Sequence, residues 1–364
     1  MASKKGYVWT GGEWVAIGSD FIDSSQFATK TYASTIYPNR NLLHNGAFNV
    51  NQRGFSSATS SNHGFDRWRF WQSDGTVTHS AQSFDSGTTL GTTPVYQPKS
   101  FARLVTSGQT AAGALSALQQ RIENVRTASG ETVTLSFWAR AGTGTPKVAV
   151  EIEQYFGSGG SPSSIVQTYA GQVTLSTTWT RYSVTVALPS VAGKVIGTAN
   201  DDYVGVNLFT SAGSSLNSRT GSLGIQSATI DFWGVQLEQG SVATPFEHKD
   251  YGQELRECQR YYFRLTGQNV YCTGVGASGT AVQGFLYHPV PMRSTPTAYG
   301  INALGQDRYY GDGTGASITG TPSVSSYSVL MSSMLFTTSG VTAATPRNIY
   351  GQGAGSYLEV SADL

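Results

Sequence analysis

The sequence predicts an all-β protein: a β-sandwich as the larger domain and a smaller β-domain after it. Only 12% of the 364 residues are charged, against about 25% in ordinary globular domains, and glycine alone supplies 43 residues. Short runs alternate apolar and polar residues with a period of two, and almost no stretch has the period of a helix. Many strands joined by tight turns have this composition, and the length allows two or three folding units.

The first 39 residues differ from the rest of the chain. Two short apolar runs around Gly11 and Gly12 predict a β-hairpin that carries Tyr7, Trp9 and Trp14. A lone hairpin is marginally stable in water, so these aromatic side chains are expected to pack on a partner surface or on sister chains. The weak amphipathic pattern over residues 25–37 indicates a short helix or a linker.

Residues 40–249 form the predicted sandwich. In the segment 131–140, Val133, Leu135 and Phe137 alternate with small or polar residues, which is the pattern of a half-buried strand. Two sheets that bury their facing sides explain such a series. Further strands are predicted at 147–156, 164–175, 180–188, 203–208 and 227–237.

One helix, at 250–262, separates the sandwich from the C-terminal domain. Asp250 followed by Gln253 resembles a capping box, and Leu255 and Cys258 share one face at helical spacing. Residues 263–364 return to strand patterns and form the second β-domain. Its strands are predicted at 269–273, 281–288, 297–301, 328–336 and 357–362.

Charge and hydropathy exclude several classes of partner. The formal net charge is +1, and the only run of cations is Lys4 and Lys5, so nucleic acid is not an expected ligand. No export signal or apolar stretch of about 18 residues occurs, so membrane insertion is not expected either. Cys258 and Cys272 are expected to be free thiols in a protein made in the cytoplasm, with a disulfide as the alternative.

No catalytic or metal-binding motif emerges. The match to G-x-G-x-x-G at 274–279 precedes a strand pattern and not the helix that a phosphate site needs, so chance explains it. Glu151 with Glu153 and Asp201 with Asp202 are the only close acidic groups. Solvated strand edges and turns explain them, with paired catalytic carboxylates as the alternative. The five histidines lack metal spacing, and the protein is predicted not to be an enzyme.

Three patches of the sequence resemble a family of bacteriophage tail and virion structural proteins that is frequent in marine and cyanobacterial phages. They are 40–48 with 51–54 and 66–68, 233–248 with 251–262, and 288–293 with 296–297. The resemblance implies a tail fibre or receptor-binding protein of the virion, assembled in the host cytoplasm and held in the phage tail by its N-terminal segment. It also implies a homotrimer whose receptor is a host-surface glycan such as lipopolysaccharide.

Trimer formation would cover the N-terminal hairpin and apolar positions such as Ile349 and Tyr350. A capsid head fibre or decoration protein is the first alternative, and a glycan-degrading enzyme is the second.

Residues 42–237 also resemble the jelly-roll carbohydrate-binding modules of the CenC-like kind. Such modules often hold a structural Ca²⁺ through oxygen ligands. Asn49 stands where an acidic residue is common in those modules, although Asp231 is available. No cofactor is therefore expected, with a structural calcium ion as the alternative.

Aromatic side chains mark the candidate sugar site, because a pyranose face packs flat on an aromatic ring. Trp68 and Phe70 share one parity and are expected in the core, so the next side chain, Trp71, faces the other way. The alternative is an aromatic residue that merely packs under a loop. The carbohydrate-binding candidates are Trp71, Arg67, Arg69 and Tyr155. Three further tryptophans, Trp138, Trp179 and Trp233, are expected in the sandwich core.

Overall fold

The structure is a computed structural model that describes residues 6–9, 14–17, 39–90, 97–296, 298–302, 304–307, 318, 322–351 and 353–364. The predicted N-terminal hairpin is confirmed: β1 (Gly6–Trp9) pairs with β2 (Trp14–Ile17) in antiparallel register. The side chains of Tyr7, Trp9 and Trp14 lie outside what the structure describes. So does the segment 25–37, expected as a helix or linker.

Two six-stranded antiparallel sheets form the sandwich, which confirms the predicted fold class. Sheet I has the order β11-β10-β13-β8-β5-β4, and sheet II has the order β12-β9-β14-β7-β6-β3. The strands of sheet I are β4 (Asn62–His63), β5 (Arg69–Ser73), β8 (Leu115–Glu123), β10 (Lys147–Tyr155), β11 (Val166–Thr174) and β13 (Tyr203–Ala212). The strands of sheet II are β3 (Ser57–Ala58), β6 (Thr76–Ser83), β7 (Ser100–Ser107), β9 (Thr132–Ala141), β12 (Thr180–Ala187) and β14 (Ala228–Gln239).

The sandwich core lies between the two sheets and follows the alternation of the sequence. Val133, Leu135 and Phe137 of β9 point into it, as predicted, and Trp68 and Trp233 are fully buried there. Burying these large side chains stabilises the fold by roughly 25 cal/mol for each Å² of apolar surface removed from water. This burial fixes which face of each strand points outward.

Two sheets also make up the C-terminal domain. Sheet III contains β15 (Tyr262–Thr266), β23 (Tyr357–Ser361) and β18 (Ala298–Asn302) in that order. Sheet IV has the order β19-β22-β16-β17-β21-β20. Its strands are β16 (Val270–Ser278), β17 (Ala281–Tyr287), β19 (Leu304–Asp307), β20 (Ser323–Tyr327), β21 (Met331–Thr337) and β22 (Pro346–Gly351).

Helices are few among the residues that the structure covers. A 3₁₀ turn (Ser214–Leu216) leads into α1 (Asn217–Thr220), and α2 (Tyr251–Gln259) joins the domains. The Asp250 side chain accepts hydrogen bonds from the backbone N–H groups of Gly252 and Gln253, so Asp250 is the N-cap, as predicted. The capping box is incomplete, because the Gln253 side chain donates to Asn39 and Glu257 instead. The helix ends earlier than the predicted residue 262 because Tyr262 already pairs in β15.

The sequence patches that resemble phage proteins serve the fold. The Asn41 Oδ1 atom accepts from the backbone N–H groups of Leu43 and Leu237, which clamps the start of the sandwich onto its last strand. Gly46 packs against the same strand, since a Cβ there would lie 2.2 Å from the Val235 carbonyl oxygen. Asn41 and Gly46 of the first patch therefore have a structural role.

The C-terminal domain is fixed to one end of the sandwich by charged and aromatic contacts. Arg260 binds both carboxylate oxygens of Glu123 at 2.8 Å, and the guanidinium of Arg53 lies 3.6 Å from the Tyr262 ring centre. Asp363, near the end of the chain, pairs with Arg53. Residues 363 and 364 thus lie against the sandwich, beside sheet I.

Two further expectations have different outcomes. Cys258 and Cys272 are buried free thiols, as expected. The expectation that Ile349 would be exposed in a lone chain is wrong, because Ile349 is fully buried in the core of the C-terminal domain. Tyr350, its neighbour on β22, is half-buried. No helix within the described parts of the chain is long and apolar enough to cross a membrane.

Candidate functional site

The outer face of sheet I, opposite the core, carries a row of polar side chains. Val150, Ile152, Val206 and Leu208 point into the core, so their strand neighbours point outward. The antiparallel register then aligns one residue from each of four adjacent strands. These residues are Arg69 on β5, Gln119 on β8, Asn207 on β13 and Glu151 on β10.

Hydrogen bonds connect this row. Gln119 Nε2 donates to Asn207 Oδ1 at 2.8 Å and to Glu153 Oε1 at 3.2 Å, and Asn207 Nδ2 donates to Glu151 Oε1 at 2.9 Å. Gly205 makes room for this arrangement, because a Cβ at that position would lie 2.6 Å from Glu153 Cγ. The amides and carboxylates are therefore held in fixed positions before any ligand arrives.

Arg219, on α1, completes the network from above the sheet. Its Nε and terminal NH2 nitrogen donate to the two oxygens of Glu151, both at 2.7 Å, and the NH2 nitrogen lies 3.6 Å from Glu153 Oε2. Burial and the neighbouring Glu151 carboxylate raise the pKa of Glu153, which Arg219 and Arg121 partly offset. The guanidinium also lies 5.4 Å from the ring centres of Trp71 and Phe209.

Aromatic residues flank the polar row on both sides. On one side Trp71 packs beside Phe209, with ring centres 6.3 Å apart. On the other side Tyr155 and Tyr203 lie with ring centres 4.9 Å apart at an interplanar angle of 35°. Trp71 and Tyr155 keep part of their surface exposed, whereas Phe209 and Tyr203 are buried.

A small cleft opens where sheet I meets the end of the chain. Its cavity volume is about 10 Å³, room for about one water molecule. It is lined by His63, Arg67, Arg69, Gln119, Arg121 and Leu364. Arg121 Nε donates to Gln119 Oε1 at 3.2 Å, and its guanidinium lies 4.5 Å from the Tyr203 ring centre. Burial lowers the pKa of His63 to about 4, so this imidazole is neutral at pH 7.

The structure places three of the four predicted sugar-binding residues on this face. Trp71, Arg69 and Tyr155 lie on the outer side of sheet I. Arg67 lines the cleft but belongs mainly to the domain joint: its guanidinium lies 3.2 Å from the Tyr261 ring centre and donates to the Arg121 carbonyl oxygen. Of the three tryptophans expected in the core, Trp138 and Trp233 are buried and Trp179 packs partly against it.

The polar centre of the site was missed from the sequence. The expectation that Glu151 and Glu153 mark a solvated edge or turn is wrong, since both are buried at the middle of sheet I. The sequence did contain a signal for this burial: Glu151 and Glu153 point to the same face of a strand that is otherwise apolar. Asp201 does serve a turn as expected, because its carboxylate accepts from the backbone N–H and hydroxyl of Ser158.

Asp231, the possible calcium ligand, is engaged elsewhere. Its carboxylate accepts from Arg103 Nε and Arg140 Nε at 2.7 and 2.8 Å, so a cation would have to displace two guanidinium groups. The described residues also hold no cluster of three or more His, Cys, Asp or Glu side chains placed to bind a metal. The residues present do not fit a calcium site at Asp231.

The glycine-rich motif at 274–279 lies on β16 and the turn that follows it. This turn leads directly into β17, as the sequence predicts. No helix N-terminus follows to bind a phosphate.

Comparisons with known proteins give distant structural neighbours only. No protein-family model matches the chain, and no curated protein matches it. A putative sugar binding protein from Bacteroides thetaiotaomicron is 14% identical with a TM-score of 0.34, covering 55% of this chain and 100% of its own. A family 4 carbohydrate-binding module is 20% identical with a TM-score of 0.30 and coverages of 54% and 98%.

The xylan-binding CBM22-2 domain from Paenibacillus barcinonensis Xyn10C is 13% identical with a TM-score of 0.31, covering 50% of this chain and 98% of its own. These neighbours are carbohydrate-binding modules. At such scores the likeness adds nothing to the choice of site residues.

Proposed function

We propose that this protein binds glycans on the outer face of sheet I. The observation that carries the proposal is the fixed row of amides and carboxylates between two pairs of aromatic rings. Trp71 and Tyr155 offer partly exposed rings for the apolar faces of sugar rings. Gln119, Asn207 and Glu153 are buried and linked by hydrogen bonds through Gln119, so they hold this face in a fixed shape. The partly exposed Arg69 and Arg121 can donate hydrogen bonds to sugar hydroxyls.

The network supports binding without catalysis. Both oxygens of Glu151 accept from Arg219, and Glu153 lies against Gln119 and Arg219. A glycosidase needs one carboxyl free to protonate the leaving group and a second free to act as nucleophile or base. Incubating the protein with a polysaccharide that it binds tests this point: released oligosaccharides, absent with Glu153→Gln, would overturn the non-catalytic proposal.

Glycan binding is tested on an array of neutral and acidic oligosaccharides and bacterial lipopolysaccharides. Trp71→Ala and Tyr155→Ala are each expected to weaken binding about two- to tenfold, since one stacked ring contributes roughly 0.5–1.5 kcal/mol beyond its buried area. Tyr251→Ala is the matched control, because Tyr251 is 57% exposed on α2, away from the site. Unchanged binding by both site variants would remove the outer face of sheet I from the proposal.

The wider role that we propose is that of a bacteriophage tail fibre or receptor-binding protein. Its support is the resemblance of the 233–262 and neighbouring motifs, together with an aromatic N-terminal hairpin that could bind another virion protein. The expected receptor is a host-surface glycan such as lipopolysaccharide. Density for the chain only on the capsid in a virion reconstruction would favour the head-fibre alternative instead.

The C-terminal domain offers a surface for the proposed homotrimer. Strands β16, β17 and β21 contain no charged residue, and Phe285 and Tyr287 are 36% and 75% exposed on β17. An apolar face without charges can pack on a sister chain without desolvating an ion. Light scattering is expected to give three times the chain mass and a smaller mass for Phe285→Ser/Tyr287→Ser. An unchanged trimer in this variant would refute the role of this face.

A further inference from the structure

The cleft beside residue 364 contains two guanidinium groups, those of Arg69 and Arg121, that make no ion pair in the described structure. Among the residues that the structure covers, Arg69 makes no hydrogen bond and no ion pair. Arg121 makes one side-chain hydrogen bond, to the neutral amide of Gln119. The two guanidinium groups repel each other, and this contributes to the lowered pKa of Arg69, whose main cause is burial.

Two other cations near this cleft have carboxylate partners. Arg219 is matched by Glu151, and Arg67 lies 3.9 Å from Asp363. Glu153 attracts the two remaining guanidinium groups, those of Arg69 and Arg121, but forms an ion pair with neither. An anion placed between them would remove the repulsion and gain charge-assisted hydrogen bonds.

The geometry suits a small planar or tetrahedral anion. Arg69 and Gln119 are register partners on adjacent strands, and Arg121 lies two residues beyond Gln119 on the same face. The two guanidinium groups therefore project from neighbouring strands, with the Gln119 amide between them. A guanidinium presents parallel N–H donors that match carboxylate, phosphate and sulfate oxygens.

We propose that the glycan bound by sheet I is acidic, and that its carboxylate, phosphate or sulfate group lies between Arg69 and Arg121. This inference rests on the proposed glycan-binding function. The cleft continues the polar row at its β5 end, so one sugar chain can contact Trp71 and place its anionic group beside Arg69. The cavity of about 10 Å³ is too small for such a group, so the group would lie at its mouth, where Arg69 and Arg121 are partly exposed. Two guanidinium groups at one spot differ from the extended basic surface that nucleic acids require.

The experiment compares binding of neutral and acidic glycans by the wild type, Arg69→Gln, Arg121→Gln and Arg126→Gln. Arg126 is exposed on a turn outside the cleft, so Arg126→Gln is the control for loss of one positive charge. The probes are neutral xylan and β-glucan, polygalacturonate with and without chemical reduction of its carboxylates, heparin with and without desulfation, and lipopolysaccharide with and without dephosphorylation.

We expect binding to at least one acidic probe that falls tenfold or more when its anionic group is removed. Arg69→Gln and Arg121→Gln should cause a similar loss, with Arg126→Gln unchanged. The three pairs of probes tell carboxylate, sulfate and phosphate apart.

Each other outcome is decisive. Equal binding to neutral and acidic probes, unchanged in Arg69→Gln and Arg121→Gln, would overturn the acidic ligand and leave glycan binding intact. Absence of binding to every probe would overturn glycan binding and the acidic ligand together. Tryptophan fluorescence in urea verifies the fold of each variant, because the tryptophans whose side chains the structure describes all belong to the sandwich.

Discussion

Replacing Arg219 with leucine would leave a buried carboxylate without its cation. In the native protein both oxygens of Glu151 accept hydrogen bonds from this guanidinium at 2.7 Å. The Glu151 side chain is fully buried, and that of Arg219 is 14% exposed. Leucine retains apolar contact with Trp71 and Phe209 while removing both donors.

The structure sets the size of the effect. Hydrogen bonds to charged groups contribute roughly 1.5–3 kcal/mol each, and breaking a buried ion pair by removing one partner costs about 3–5 kcal/mol. We therefore expect Arg219→Leu to reduce the free energy of unfolding of the sandwich by about 3–5 kcal/mol. Asn207 still donates to Glu151, so the loss should stay within this range.

Urea unfolding followed by tryptophan fluorescence measures this loss. The double variant Glu151→Gln/Arg219→Leu is the matched control, since a neutral amide in place of the carboxylate removes the uncompensated charge. It should be more stable than Arg219→Leu alone by about 1–3 kcal/mol. A loss below about 1 kcal/mol for Arg219→Leu would refute the reasoning, because it would mean that water reaches Glu151 and replaces the guanidinium.

Three other predictions concern buried groups. Burial lowers the pKa of His79 to about 4, and neither ring nitrogen has a hydrogen-bond partner in the described structure. The neutral imidazole therefore stabilises the fold above about pH 6.5. This contribution is lost as the pH falls towards 4. Acidification from pH 7 to pH 5 should therefore destabilise the wild type by about 2 kcal/mol more than His79→Leu in urea unfolding, and equal losses would contradict this. Gly205→Ala should displace Glu153, reduce the free energy of unfolding by roughly 1–3 kcal/mol and weaken glycan binding. An unchanged unfolding midpoint would show that the Glu153 position is not constrained. Burial raises the pKa of the thiols of Cys258 and Cys272, that of Cys272 to about 12. A disulfide reagent at pH 8 should therefore modify neither thiol until urea unfolds the protein. Rapid modification of the native protein would contradict the burial.

Strand periodicity located the six strands from β9 to β14, half of the twelve strands of the sandwich, because these strands alternate cleanly. The segment 131–140 and the strands after it were located within a few residues. The early strands were harder to locate: β4 has two residues, and β5 mixes aromatic and polar residues. Neither stretch is long enough for a period to emerge. The longer strands β6, β7 and β8 were not located either, because buried polar residues such as His79, Thr106 and Gln119 interrupt their apolar pattern.

Parity alone found the edge of the candidate site but not its centre. It placed Trp71 and Arg69 outside the core correctly. The burial of Glu151 depends on Arg219, which is 68 residues away on a one-turn helix without apolar periodicity. The alignment of Arg69, Gln119, Asn207 and Glu151 depends on the register of four strands, which one sequence does not reveal.

A crystal structure with an oligosaccharide selected by the array is the most direct test of glycan binding on sheet I. We predict sugar density against the partly exposed rings of Trp71 and Tyr155, with an anionic group beside Arg69. Density on the outer face of sheet II or on the C-terminal domain, with the face of sheet I empty, would contradict this account.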